Sequence, residues 1–346
     1  MTIHGNIDSV DIKVIGESWL DANLDNYEVG NLPIVEVLGF NEGRDTTNYK
    51  LPDLGNGLFG PGSLRDWTPG GDHGNSEDLG SIPASVTVKY RENGPIKRPS
   101  KRSAAHILRD LESNITPLLF AGLYQRMSAE AVTLMTNASI YGTAKTFSGT
   151  GALDTYAADQ KPDVDINANL QPMVKWKSLG LSLECFMSFH VETAFARHPA
   201  YTGAGTGSAI ASTLPREEFK RRFMAAHPQL DALHICNSVT DTARAGQTSA
   251  PLLIGNTLLW FGLVDRRQNR FDLRSQESLD APDGAIAIAR AFDPYIEQWS
   301  PSGSGVDMFA GRTEHGIYFP RANDAANKAD FAHFYGADEI FTATPT

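Results

Sequence analysis

The residue types that could do chemistry are present in this chain, but not at the spacings that chemistry needs. Cys185, His190 and His198 come nearest to a metal-ligand set. Tight zinc sites pair their cysteines a few residues apart, whereas the second cysteine here, Cys236, stands alone far downstream. Asp163-Val164-Asp165 offers two alternating carboxylates, yet acids placed directly after a proline are what the positive end of a helix selects. Gly203-Ala204-Gly205-Thr206-Gly207 resembles a phosphate cradle without its Gly-Lys-Ser/Thr ending, so it reads as a surface loop. There is no Gly-x-Ser-x-Gly elbow and no His-Glu-x-x-His helix. The sequence nominates no catalytic, cofactor-binding or metal-ligating residue.

Charge is the more informative chemistry. The net charge of −11 is unevenly placed. Residues 1–80 hold fourteen acids against Lys13, Arg44, Lys50 and Arg65. Immediately afterwards Lys89, Arg91, Lys97, Arg98, Lys101 and Arg102 are opposed only by Glu92. An acidic stretch beside a basic one points to complementarity with another copy of the chain. Those six bases, with the apolar anchors Trp19, Ile34, Val35 and Phe59 of the acidic segment, are the candidate contacts between copies. The basic run has Tyr90 as its only aromatic, so a dedicated nucleic-acid surface is not expected.

The elements that would carry these residues follow from periodicity. Residues 1–80 are punctuated by Gly55-Asn56-Gly57, Gly60-Pro61-Gly62 and Pro69-Gly70-Gly71, and hold too few apolar residues for a core of their own. Ser85 to Arg91 alternates as a half-buried strand with Val86, Val88 and Tyr90 on one face, closed by a turn at Asn93-Gly94-Pro95. A helix is expected over Ser103–Ser113, and a second one capped by Thr116 with Pro117 at its first position. Its stripe is Phe120, Leu123, Met127, Ala131 and Leu134. Further helices are expected over Asp165–Trp176, His190–Arg197 and Pro215–Ala226, the last capped by Thr213. Strands are expected over Leu181–Ser188, Ala232–Cys236, Thr257–Val264, Ala285–Phe292, Gly316–Phe319 and Glu339–Thr342. Helices and strands interleave without regular alternation, which makes the class α+β.

Composition fits a folded chain with a substantial core: 41% of residues are hydrophobic and 21% charged. No apolar run approaches the roughly 20 residues of a membrane span, so no membrane partner is expected. Met1 to Asp11 lacks the pattern of a secretory signal. Cys185 and Cys236 lie in apolar runs and read as small buried hydrophobes, compatible with synthesis in a reducing cytoplasm.

The order of landmarks carries a family resemblance. A long helix ends near Ile140-Tyr141-Gly142, and the loop Ser148-Gly149-Thr150 follows. Arg197-His198-Pro199 closes a later helix. Leu214–Phe223, Leu233–Ala243 with its Asp241-Thr242-Ala243, Leu258–Val264 and Ala285–Trp299 complete the series. Over about residues 100–300 this succession resembles the major capsid proteins of tailed bacteriophages, with the Hong Kong 97 fold.

The resemblance implies an N-terminal arm and its junction over 1–80 and an extended loop over 81–101. A peripheral domain with a long spine helix would take 102–164 and an axial domain 165–290, with a return to the peripheral domain over 291–346. It implies self-assembly into the pentamers and hexamers of an icosahedral shell located in the virion, made in the host bacterial cytoplasm. Portal and scaffold or decoration proteins would be partners, packaged DNA only a non-specific one, and no enzyme activity or cofactor is implied. Two alternatives stay open at this point: an encapsulin-like nanocompartment shell, and an α+β enzyme of another family.

Overall fold

The computed structural model describes residues 34, 38, 41–42, 46–52, 81–99, 108–157, 159–202, 213–236, 239–241, 251–253, 255–266, 283–299 and 306–344. In chain order the described elements begin with β1 (Asn41–Glu42), β2 (Thr46–Pro52), β3 (Ser81–Thr87) and β4 (Lys89–Pro99). The long helix α1 (Leu108–Met135), the short α2 (Ala138–Tyr141) and α3 (Pro162–Val174) follow. Next come β5 (Leu181–Ser188), α4 (Phe189–Arg197), α5 (Pro199–Thr202), α6 (Arg216–Ala226), β6 (Ala232–Cys236), β7 (Val239–Asp241) and β8 (Pro251–Leu253). The chain then runs through β9 (Leu259–Asp265), β10 (Ala287–Trp299), β11 (Val306–Tyr318), β12 (Ala332–Phe334) and α7 (Ala337–Ile340).

Two four-stranded sheets organise these elements. The first has the order β1-β10-β11-β4, built on the long antiparallel pair β10 and β11. The second has the order β12-β9-β5-β6, in which β5 runs parallel to β6 and antiparallel to β9. The expected strands at Gly316–Phe319 and Ala285–Phe292 are therefore the ends of much longer ones. The last stretch adds β12 to the second sheet, antiparallel to β9.

Helix α1 bridges the two sheets. Its buried stripe is Leu119, Leu123, Met127, Ala131 and Met135, spaced four residues apart. Leu119 and Leu123 lie over Gly311 of β11. A methyl group at Gly311 would come within 3.1 Å of the Leu123 side chain, so the missing side chain is what lets helix and strand meet. The expected break at Thr116-Pro117 is absent, because the helix runs through both residues. A proline inside a helix costs about 3 kcal/mol. Each large stripe residue contributes roughly 1.5–3 kcal/mol when fully buried, so together they outweigh that cost.

Local signals were overruled elsewhere too. β4 continues through Asn93-Gly94-Pro95, where Gly94 takes φ +118° and the register with β11 slips by a residue. A glycine at positive φ forms the bulge, and proline is tolerated because β4 is an edge strand. Helix α6 starts at Arg216 with no side-chain cap, and Thr213 accepts instead from Arg197 Nε at 2.8 Å. The expected strand at Glu339–Thr342 is replaced by α7, whose first turn holds Asp338 and Glu339 and whose Ile340 is buried.

β2 and β3 form a separate antiparallel ribbon, from Thr46 opposite Thr87 to Pro52 opposite Ser81. Its base packs Tyr49, Leu51, Ala84 and Val86 against Ala287, Ala289 and Tyr318 of the first sheet. The hydroxyls of Tyr49 and Tyr318 meet at 2.9 Å, and a methyl group on Gly316 would sit 2.4 Å from the Thr87 carbonyl oxygen. Ile34 and Leu38, one helical turn apart, are buried in the main core of this same chain. Ile34 is thus not an anchor on a neighbouring copy; Trp19, Val35 and Phe59 lie outside the described residues.

Leu123 is the residue whose removal isolates the seam between helix and sheet. Leu123→Ala should lower the unfolding free energy in urea by about 2–5 kcal/mol through the cavity it leaves. Thr133→Ala, on the exposed side of the same helix, should change it by less than about 0.5 kcal/mol.

Candidate assembly surface

The first sheet has two chemically distinct faces. On the face covered by α1, Glu130 of the helix gathers side chains from two strands. Arg91 Nε on β4 donates to Glu130 Oε1 at 3.0 Å, and His315 Nε2 on β11 lies 3.2 Å from Oε2. Arg126, one turn earlier, stands 3.7 Å away. The His315 hydrogen bond, then that of Arg91, holds the Glu130 carboxyl down at about 2 against the opposing effect of burial.

The other face carries an aromatic and acidic cluster around Arg312. Its guanidinium carbon lies 5.7 Å from the centre of the Tyr90 ring and 6.0 Å from that of Trp299. Glu92 approaches it to 3.9 Å and Glu297 touches it. Strand alternation puts these groups on one face: Arg312 stands opposite Glu92 on β4 and Tyr295 on β10. Tyr90 is 46% exposed, one of three large hydrophobics in the described residues that reach solvent to this extent; the others are Val164 and Phe189.

The six bases singled out from the sequence fare differently. Arg91 pairs with Glu130 of its own chain at 3.0 Å. Lys89 is exposed. Lys97 and Arg98 lie on the distal part of β4, level with Met308 and Asp307. Lys101 and Arg102 fall outside the described residues.

The residues that could have suggested metal or catalytic chemistry serve packing. Cys185 and Cys236 are free and buried, and burial pushes the Cys236 thiol up to about 12. His198 is buried with its Nδ1 accepting from the Ala200 N–H at 3.2 Å, and burial pushes it down to about 4. His190 rests edge-on against Phe189. Asp163 and Asp165 lie in the first turn of α3, where Asp165 accepts from the backbone N–H and hydroxyl of Ser148. Among the described residues no cluster of three or more His, Cys, Asp or Glu could hold a metal ion, and no helix is long and apolar enough to cross a membrane. The Gly203–Gly207 loop lies outside the described residues.

Two buried charge networks had no signature in the sequence. Glu184, in the middle of the apolar strand β5, accepts from Arg266 Nε at 2.6 Å and pairs with His234 Nε2 at 2.8 Å. Burial opposes its ionisation, but the hydrogen bonds from Arg266 and His234 prevail and hold it at about 2. Arg321, fully buried, donates to both oxygens of Asp283 at 2.7 and 2.8 Å and faces Asp324 at 3.4 Å. Its guanidinium carbon sits 4.9 Å from the Phe331 ring centre. These ties fasten the segment after β11 to the start of the β10 strand.

With this geometry in view, comparison with known proteins places the fold. No family model matches the chain, and no curated protein matches its sequence. Among solved structures, a phage-related protein of Bordetella bronchiseptica aligns at a TM-score of 0.54 and 12% identity, covering 89% of this chain and 92% of that one. The Microbacterium phage Oxtober96 chain aligns at 0.48 and 9% identity, covering 88% and 91%. A chain of the bacteriophage PhiM1 mature capsid aligns at 0.47 and 8% identity, covering 85% and 82%. The fold is the α+β arrangement of the Hong Kong 97 type.

The Glu130 and Arg321 networks make measurable predictions. Glu130 contributes stability that is complete above its unfolded pKa near 4.5 and lost as pH falls through about 2. Glu130→Gln should therefore flatten the dependence of unfolding free energy on pH between about 4.5 and 2. Arg321→Ala leaves two buried carboxylates unpaired and should cost about 3–5 kcal/mol in urea unfolding.

Proposed function

We propose that this chain is a major capsid protein, a structural subunit that self-assembles into the icosahedral shell around a phage genome and catalyses nothing. The observation that carries the reading is the fold likeness to a phage-related protein over nearly the whole of both chains. The landmark order from Ile140-Tyr141-Gly142 through Arg197-His198-Pro199 supports it independently.

In this reading the extended loop is the β2–β3 ribbon, about residues 46–87, so it straddles the division at residue 80 expected from sequence. A two-stranded ribbon is marginally stable alone and gains from a surface to lie on. The peripheral domain is the first sheet with α1, and the axial domain is the second sheet with α3, α4 and α6. Pentamers and hexamers of the chain tile the shell in the virion, after synthesis in the host bacterial cytoplasm. Portal, scaffold or decoration proteins complete it. Packaged DNA meets an acidic protein and is held only weakly and non-specifically.

Negative-stain microscopy of the purified protein tests this directly. Closed shells are expected from the full chain. Deletion of residues 1–30 should abolish shells while leaving a cooperatively folded subunit, because the segment lacks a core of its own. Normal shells from the truncated chain would remove the arm from assembly. Shells that enclose protein cargo and no nucleic acid would indicate a nanocompartment instead.

A further inference from the structure

Three buried histidines, His198, His227 and His333, lack the carboxylate partner that His234 and His315 find in Glu184 and Glu130. They belong to one aromatic layer beside the second sheet. His333 stands opposite Phe261 of β9, which stands opposite Cys185 of β5. Ring contacts of 4.3 to 6.2 Å lead from His333 through Tyr335, Phe147, Phe195 and Phe223 to His227. His198 lies at the edge of the layer, 6.0 Å from the Tyr156 ring.

The hydrogen bonds of all three suit an uncharged ring only. Asn167 Nδ2 donates to the Ala226 carbonyl at 2.9 Å, so its Oδ1 accepts from His227 Nδ1–H at 2.9 Å. His227 Nε2 is then the acceptor for the Tyr201 hydroxyl at 2.9 Å. A proton on Nε2 would set donor against donor, beside a hydroxyl whose ring is enclosed by Phe195, Phe219 and Phe223. His198 Nδ1 accepts from the Ala200 N–H, and its buried Nε2 has no partner. Charging His198 therefore puts a proton against that N–H. His333 stacks on Phe261 with its Nε2 buried and unpartnered. An unpaired buried charge is costly, so each ring resists protonation for as long as the layer stays closed.

We propose that this layer is an acid-sensitive element: mild acid charges its histidines and loosens α3, α5, α6 and the β12 edge of the second sheet, while the first sheet and α1 stay closed. The device belongs to the single subunit, assembled or not. Burial, against the pull of Asp163 on α3, holds His198 at about 4. Burial holds His227 at about 4 as well, and burial with the nearby Lys145 holds His333 at about 3. All three lie below the ordinary 6.5, so the closed layer binds fewer protons than the opened one between about 6.5 and 4. Its stability is complete above that window and is lost as pH falls through it. The Glu130 network of the first sheet responds only below about 4.5. The other charged groups facing the layer are already engaged. Asp165 of α3 accepts from Ser148, and Glu192 of α4 accepts from Arg216. Arg197 donates to Thr213, and Arg222 of α6 donates to the Tyr201 and Thr202 carbonyls. Burial keeps the Cys185 thiol of β5 protonated.

Amide hydrogen exchange of the full chain, read by peptide mass spectrometry and corrected for the intrinsic pH dependence of exchange, tests this without altering the protein. From about pH 7 to about pH 5, peptides of α3, α5, α6 and β12 should lose protection at least about tenfold, and those of α1, β10 and β11 less than about threefold. Unchanged protection in the first group, or equal losses in both, would overturn the proposal. As a second arm, His227→Gln keeps a donor and an acceptor but cannot take up the proton. It should reduce the acid response of α3 and α6 to about threefold. A folded His227→Gln chain with the full wild-type response would also overturn it, and if that variant does not fold the wild-type exchange profile decides.

Discussion

The seam between α1 and the β10–β11 pair is the contact on which the rest depends. Gly311 removes the one side chain that would hold helix and strand apart, and Leu119 and Leu123 fill the space. Further along the helix, Met127, Ala131 and Met135 enter the same continuous core as Phe186, Trp260 and Phe261 of the second sheet. One helix thereby fixes both sheets, and the two faces of the first sheet acquire different fates. The covered face is locked by the ion pairs of Glu130, and the other face is covered by the β2–β3 ribbon at one end and carries the charged and aromatic cluster around Arg312 at the other.

Buried charge is used in this fold where chain segments distant in sequence have to be held at one angle. Arg321 and Asp283 join parts of the chain thirty-eight residues apart, and Glu184 and Arg266 parts eighty-two apart. Such pairs add little net stability over apolar substitutes, but they are severe when broken singly. The ribbon is tied in a different way, by a small apolar cluster and the Tyr49–Tyr318 hydroxyl contact at its base.

Much of the second sheet was legible because its strands are short and bounded. Leu181–Ser188 and Ala232–Cys236 have the limits that apolar runs and turn residues set. The helix stripe through Leu123, Met127 and Ala131 was legible from its four-residue spacing, with Met135 and not Leu134 as the buried residue at its end. What misled were local signals that long-range packing overruled: Thr116-Pro117 inside α1, and Asn93-Gly94-Pro95 inside β4. The pairing of β2 with β3 joins segments separated by nearly thirty residues, so no local pattern announces it. The candidate surface was half legible. The basic run stands out in the sequence, but Glu92, Glu297 and Arg312 become neighbours only through strand register, and the pairing of Arg91 with Glu130 comes from the alternation of faces.

Sedimentation velocity over a range of protein concentrations tests the shell assignment most directly. A subunit that closes into shells should pass, above a threshold concentration, from a slowly sedimenting species straight to a single fast one of shell size, with few intermediates. A gradual rise through dimers or other small oligomers, or a single subunit-sized boundary at every concentration and salt, would contradict it.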